Sequence, residues 1–196
     1  LGVLALRGAA YMGLNKAEEA AEAYERALKA DPANKTALVG LARLAITANK
    51  FDAASARIDE AVAKNPKDLD VWLFKGDFER SQGKVAESLA AYDQALALDS
   101  GNSGAHLQKA DLYISTKKYG DARTALQAAR KAAPNNLMIV YAMGLLEFDQ
   151  GRYREALEPL QQMLRAVPDH MPSILLLGAV QYKLASYPQA EAHLMN

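Results

Sequence analysis

Residues 1–34 read LGVLALRGAAYMGLNKAEEAAEAYERALKADPAN, and the rest of the chain repeats their pattern. Cut into rows of 34, the sequence aligns without insertions as 1–34, 35–68, 69–102, 103–136, 137–170 and a partial row, 171–196. Column eight then holds Gly8, Ala42, Gly76, Ala110, Gly144 and Gly178, and column twenty holds Ala20, Ala54, Ser88, Ala122, Ala156 and Ala190. Column twenty-seven reads Ala27, Ala61, Ala95, Ala129 and Met163; column thirty-two reads Pro32, Pro66, Ser100, Pro134 and Pro168. A period of this size kept over five rows marks an array whose units bury their apolar faces on their neighbours.

Each row carries two apolar stripes at helical spacing, such as Trp72, Gly76 and Glu79 followed by Ser88, Tyr92 and Ala95. Small residues in columns eight and twenty let the two helices approach, and large ones in columns four and twenty-four fill the space between them. Between the stripes lies a polar break (Asn15-Lys16, Asn49-Lys50, Gly83-Lys84, Lys117-Lys118, Gly151-Arg152), where Gly or Asn suits a helix C-cap. The second break, as in Asp31-Pro32-Ala33-Asn34, ends the second helix, because proline disfavours helical geometry in the residue before it.

These columns resemble those of the tetratricopeptide repeat (TPR), and the resemblance covers all 196 residues. It implies an all-α fold, a right-handed α-solenoid of tandem helix-turn-helix repeats forming a single array. Its departures are Ser100 in place of the terminal proline, and Glu79, Glu147 and Gln181 where Tyr11 and Tyr113 match the family aromatic. The chain starts at Leu1 and stops at Asn196, each inside an expected helix, the second beginning near Pro188; this reads as a piece of a longer array.

Net charge is zero, which argues against a general nucleic-acid or anionic-membrane binder. Row three is net −3 and row four net +4, which reads as adjacent solvated faces. There is no Cys, so disulfides, thiolate metal sites and Cys nucleophiles are excluded. No apolar run reaches the ~18 residues of a membrane span. With no paired histidines and no Gly-rich phosphate loop after a strand, the sequence offers no catalytic constellation and no metal or cofactor site, and it reads as a non-enzyme.

Single residues carry further expectations. Trp72 sits in core column four as a buried anchor, and His106 occupies the same column as a packed or partly exposed histidine. His170 falls in a loop and His193 on the last helix, neither with a ligand partner. Pro159, six residues into its helix, predicts a kink or a late helix start.

The resemblance implies that the first helix of each repeat lines a concave groove that holds a protein or peptide. Two zones follow. One is charged, with Arg43, Asp70, Asp77, Arg80 and Asp111 beside Leu73, and Asp77 and Arg80 are spaced to pair. The other is apolar: Met138, Tyr141, Leu145 and Phe148 form one helical stripe, which Leu175 and Tyr182 continue on the next repeat. Such a stripe suits a partner, or else packs on further repeats or a second copy. The two-carboxylate clamp of chaperone-tail receptors needs Lys, Asn and Arg in groove positions that here hold Ala5, Ala9, Gly40, Asp70 and Phe74, so that ligand is not expected.

The leading function is therefore a protein-interaction scaffold, with a self-associating structural module as the alternative. Residues 166–173, 175–182 and 187–191 also resemble bacterial repeat lipoproteins of the exosortase (PEP-CTERM) sorting and exopolysaccharide system. That resemblance implies an envelope protein, lipid-anchored upstream; a cytoplasmic setting is the alternative.

Overall fold

The computed structural model of the chain describes residues 2–194, with side chains described as far as residue 185. Among the described residues there are eleven helices and no strand. They fall into two compact units, Leu1–Asp99 and Ser100–Asn196. The first holds α1 (Gly2–Gly13), α2 (Ala17–Ala30), α3 (Lys35–Thr47), α4 (Phe51–Lys64), α5 (Leu69–Ser81) and α6 (Val85–Leu98). The second holds α7 (Ser103–Ser115), α8 (Tyr119–Ala132), α9 (Leu137–Asp149), α10 (Tyr153–Ala166) and α11 (Met171–Leu194). Within each unit the helices of each full row pair as an antiparallel hairpin.

The two breaks have separate physical causes. The turn inside each row places its column-fifteen residue in the left-handed region: Asn15, Asn49, Gly83, Lys117 and Gly151 have φ between 56° and 73°. Gly and Asn tolerate that conformation, and Lys117 adopts it at a cost. The break between rows is a residue that leaves helical geometry, followed by a turn. Asp31, Asn65, Asp99, Ala133 and Val167 have φ between −146° and −128°. The amides of Asn34, Asp68, Asn136 and His170 then donate to the carbonyls three residues back, which puts Pro32, Pro66, Pro134 and Pro168 second in each turn. Asp99 keeps the extended geometry although Ser100 follows it.

Column thirty-four supplies the N-caps. Asn34, Asp68, Asn102 and Asn136 accept the amides of Ala37, Val71, Ala105 and Met138 at 2.9–3.2 Å. His170 stands in the same column, and its Nδ1 accepts from the Ser173 amide at 3.3 Å and lies 2.8 Å from Ser173 Oγ. The loop histidine thus takes the position of a cap.

Size matching across columns eight and twenty-four sets the packing within each hairpin. A Cβ on Gly8 would lie 2.6 Å from the Tyr24 ring, one on Gly76 2.5 Å from Tyr92, and one on Gly144 2.9 Å from Leu160. Rows two and four carry Ala42 and Ala110, and there column twenty-four holds Ile58 and Leu126 rather than a tyrosine. Tyr24 also reaches the next hairpin, where a Cβ on Gly40 would stand 2.3 Å from its ring. In the first unit the core joins Ala5, Tyr24, Ala27, Leu38, Ala61 and Val71. In the second it joins Ala110, Leu126, Ala129, Ile139 and Leu146. Ser88, fully buried in column twenty, satisfies its hydroxyl on the Gly76 carbonyl at 2.7 Å.

Three expectations are corrected. Pro159 does not delay α10, which begins at Tyr153 in the same column as its counterparts and holds the proline inside the helix; the ring packs beside Gly144, 3.5 Å from where a Cβ would stand there. Trp72 is not a buried anchor but half-buried, its ring over a surface cleft and its indole bonded to a loop carbonyl. Row six forms one helix, α11, with no turn before Pro188. The turn residue of the other rows is here Ala185, a strong helix former that disfavours positive φ. The side chains of Pro188 and His193 lie outside the described residues.

Candidate functional site

In the first unit, the faces of α1, α3 and α5 line an open cavity of about 420 Å³. Its apolar lining comes from Ala9 and Met12 of α1, Val39 and Gly40 of α3, and Val71 and Phe74 of α5, with Tyr24 of α2 also lining it. Lys35, Thr36, Arg43 and Asp70 line it as well. The cavity exists because the residues here are small. Ala9 and Gly40 remove volume on two facing helices, and Gly40 lets the Tyr24 ring lie against the α3 backbone.

The polar groups differ in how they are engaged. Lys35 Nζ is held by Asp68 at 2.7 Å and Asp70 at 3.2 Å. Arg43 has no ion-pair partner among the described residues; its guanidinium carbon lies 5.3 Å from the Phe74 ring centroid. Tyr24 is 2% exposed, and its hydroxyl donates to a weak acceptor, Met12 Sδ, at 3.3 Å. Burial pushes the Tyr24 phenol above its ordinary value, and the nearby Arg43 charge opposes that shift.

Row three solves the same problem internally. Tyr92, the counterpart of Tyr24, donates to Asp77 Oδ1 at 2.6 Å. Burial first, and then this bond, push its phenol far above the usual range. The expected pairing of Asp77 with Arg80 does not form: the Asp77 carboxylate serves Tyr92, and the exposed Arg80 acts on that phenol only through its charge. Leu73 is half-buried on the same helix.

In the second unit the apolar stripe is less exposed than the sequence suggests. Met138 is 46% exposed, but Tyr141, Leu145 and Phe148 are half-buried. Tyr141 and Phe148 pack against Ala156, Leu160 and Val180, and Leu145 against the core around Ala110. The exposed apolar surface lies instead on α11, where Leu175 is 66% and Tyr182 71% exposed, alongside Met171 and Ile174. Tyr141 meets the His170 ring edge-on at 5.3 Å. Burial, and then the charge of the half-buried Asp111, push the Tyr141 phenol up.

The carboxylates that replace the family aromatic are internal ties. Glu147, 8% exposed, sits 2.7 Å from Arg123 and 3.0 Å from Arg152, joining α9 to α8 and to the start of α10. Glu79, also buried, faces Lys84 at 3.3 Å. No helix among the described residues is long and apolar enough to cross a membrane.

The repeat geometry agrees with direct comparison. Residues 11–77 match the tetratricopeptide repeat model, and residues 57–174 match that of the cytochrome c-type biogenesis protein H TPR domain. The chain belongs to the tetratricopeptide repeat proteins, in the family of the cytochrome c-type biogenesis protein H TPR domain. No curated protein matches it. Among solved structures, a tetratricopeptide repeat protein from Parabacteroides merdae is similar, with a TM-score of 0.82 at 16% identity over 96% of this chain and 75% of that one. PilW, a type IV pilus biogenesis factor, has a TM-score of 0.80 at 21% identity over 97% and 89%. YrrB, a TPR protein with an unusual peptide-binding site, has a TM-score of 0.69 at 19% identity over 85% and 86%.

Proposed function

We infer that this protein is a non-catalytic interaction scaffold that holds a peptide segment of a protein partner on the first-helix faces of its repeats. The TPR fold itself supports the scaffold role. The observation that carries the peptide reading is the cavity on α1, α3 and α5, apolar within and rimmed by a guanidinium, Arg43, that has no ion-pair partner among the described residues. Arg43, Leu73, Asp77 and Arg80 belong to this surface in the first unit. Asp111, Met138, Tyr141, Leu145, Phe148, Leu175 and Tyr182 form the corresponding surface of the second. Selection of displayed peptides on the immobilised protein tests the reading, with Val39→Trp filling the cavity. Enriched peptides that lose binding to the filled variant are expected; no enrichment would overturn it.

Self-association has its own support. Ile174 is 40% exposed where Val140, its counterpart, is 3% exposed, and a Cβ on Gly178 would meet nothing within 4 Å among the described residues. Concentration-dependent scattering that Leu175→Ala and Tyr182→Ala abolish is the outcome this reading requires. The wording of rows five and six favours a bacterial envelope setting, in protein sorting or exopolysaccharide export. Fractionation of source cells carrying the tagged full-length gene checks it, and a purely cytoplasmic signal would refute it.

A further inference from the structure

We propose that the cavity of the first unit selects an acidic side chain, Asp or Glu, set beside an apolar residue in the bound segment. The proposal rests on the peptide-site reading above and names what that site recognises.

The chain itself contains the occupied version of this arrangement. In row three, Asp77 in column nine presents its carboxylate to the buried hydroxyl of Tyr92 in column twenty-four, at 2.6 Å. Row one keeps the tyrosine, Tyr24, but has Ala9 in column nine. Its hydroxyl therefore turns to a thioether, Met12 Sδ, a poor substitute for an oxygen acceptor. Ala9 and Tyr24 both line the cavity, so the place where row three holds a carboxylate opens here to an incoming ligand.

Charge points the same way. Arg43 lines the cavity, lies over Phe74 and has no carboxylate partner among the described residues, whereas the Lys35 charge is outweighed by Asp68 and Asp70, which leaves Arg43 as the cation open to a ligand carboxylate. An acidic side chain entering at Ala9 would meet a hydroxyl donor on the cavity wall and a guanidinium at its edge. Met12, Val39 and Phe74 would cover the apolar residue next to it. A side-chain carboxylate is favoured because a side-chain carboxylate is what occupies the equivalent place in row three.

The test is an array of amidated octapeptides. Each carries one apolar residue (Leu, Ile, Met, Phe or Tyr) one to three positions before Asp or Glu, with Asn and Gln counterparts and a free-carboxylate set lacking acidic side chains. The whole protein is applied beside Ala9→Asp, Tyr24→Phe and Arg43→Gln, each checked for native helicity by circular dichroism. Acidic members should be retained about tenfold over their amide counterparts. Ala9→Asp, which installs the row-three carboxylate, should abolish that preference; Tyr24→Phe and Arg43→Gln should each weaken it. Equal retention of acid and amide peptides, retention of the free-carboxylate set alone, or an undiminished preference in Ala9→Asp would overturn the proposal. Peptides that bind without acidic preference and regardless of Ala9→Asp would overturn it while leaving the scaffold reading intact. No binding by any member, joined to a failed selection, would remove both.

Discussion

Trp72 donates its indole N–H to the Pro66 carbonyl at 2.9 Å, bracing the loop that precedes its own helix. The bond recurs 34 residues later, where His106 Nε2 lies 3.1 Å from the Ser100 carbonyl. Two different rings in column four thus reach the same backbone group in column thirty-two. Trp72→Phe keeps the ring and removes the donor, so thermal unfolding should show a loss of about 0.5–1.5 kcal/mol. His106→Phe should behave alike; no change in either variant would remove the brace from the account.

The glycine and tyrosine of row three form a matched pair. Gly76→Ala improves helix propensity by about 1 kcal/mol but drives a Cβ to 2.5 Å from the rigid Tyr92 ring. Overpacking of this kind costs about 1–3 kcal/mol, so net destabilisation is expected. Adding Tyr92→Ile recreates the Ala42–Ile58 pairing of row two. A urea-denaturation cycle should then give a double variant more stable than the two single losses add up to.

Asp68 couples a cap to an ion pair. Burial alone would push its carboxyl up; the hydrogen bonds from Lys35 and the Val71 amide, with the Lys35 charge, outweigh that and hold it below the ordinary carboxylate value. A carboxyl lowered on folding contributes stability that is full above its unfolded value, near 4, and lost as pH falls through the folded one. Asp68→Asn keeps the cap used in rows one, three and four and removes the titration. Its unfolding midpoint should decline less between pH 5 and pH 2, about the span over which such a group titrates. Parallel acid limbs in the two proteins would contradict this.

Lys117 alone places a long side chain in the left-handed turn position, at φ 59°. Lys117→Gly should stabilise the second unit by up to about 1 kcal/mol, and Gly151→Ala should destabilise it by a similar amount. Chemical denaturation of both variants gives the answer, and stabilisation by Gly151→Ala would refute the strain argument.

The fold was legible because four columns carry residues that only close helix packing or a helix stop explains. The caps in column thirty-four repeat as plainly, but Asn and Asp also suit any polar loop, and His170 among them hides the pattern. The single helix of row six turns on one residue, Ala185, which reads as an ordinary alanine until it is set against Asn15, Asn49 and Gly83 in the same column. For the candidate site, Arg43 was visible as a charge, while Ala9, Gly40 and Phe74 registered only as a missing clamp. What they create is space, and space shows in a sequence only when the neighbouring side chains are already placed. The exposure of the stripe from Met138 to Phe148 was misjudged in the opposite sense: its period was right, but α10 and α11 cover half of it.

The pairing of columns eight and twenty-four has a genetic consequence. A crossover that joins the first helix of row two to the second helix of row three would set Ala42 against Tyr92, with no room for the ring. Exchange between rows two and three therefore preserves the packing at the loop between rows, but not at the turn inside a row. The heritable unit is the whole hairpin, and for row one it extends to Gly40 of the next, so that Tyr24 cannot be copied elsewhere without its following neighbour.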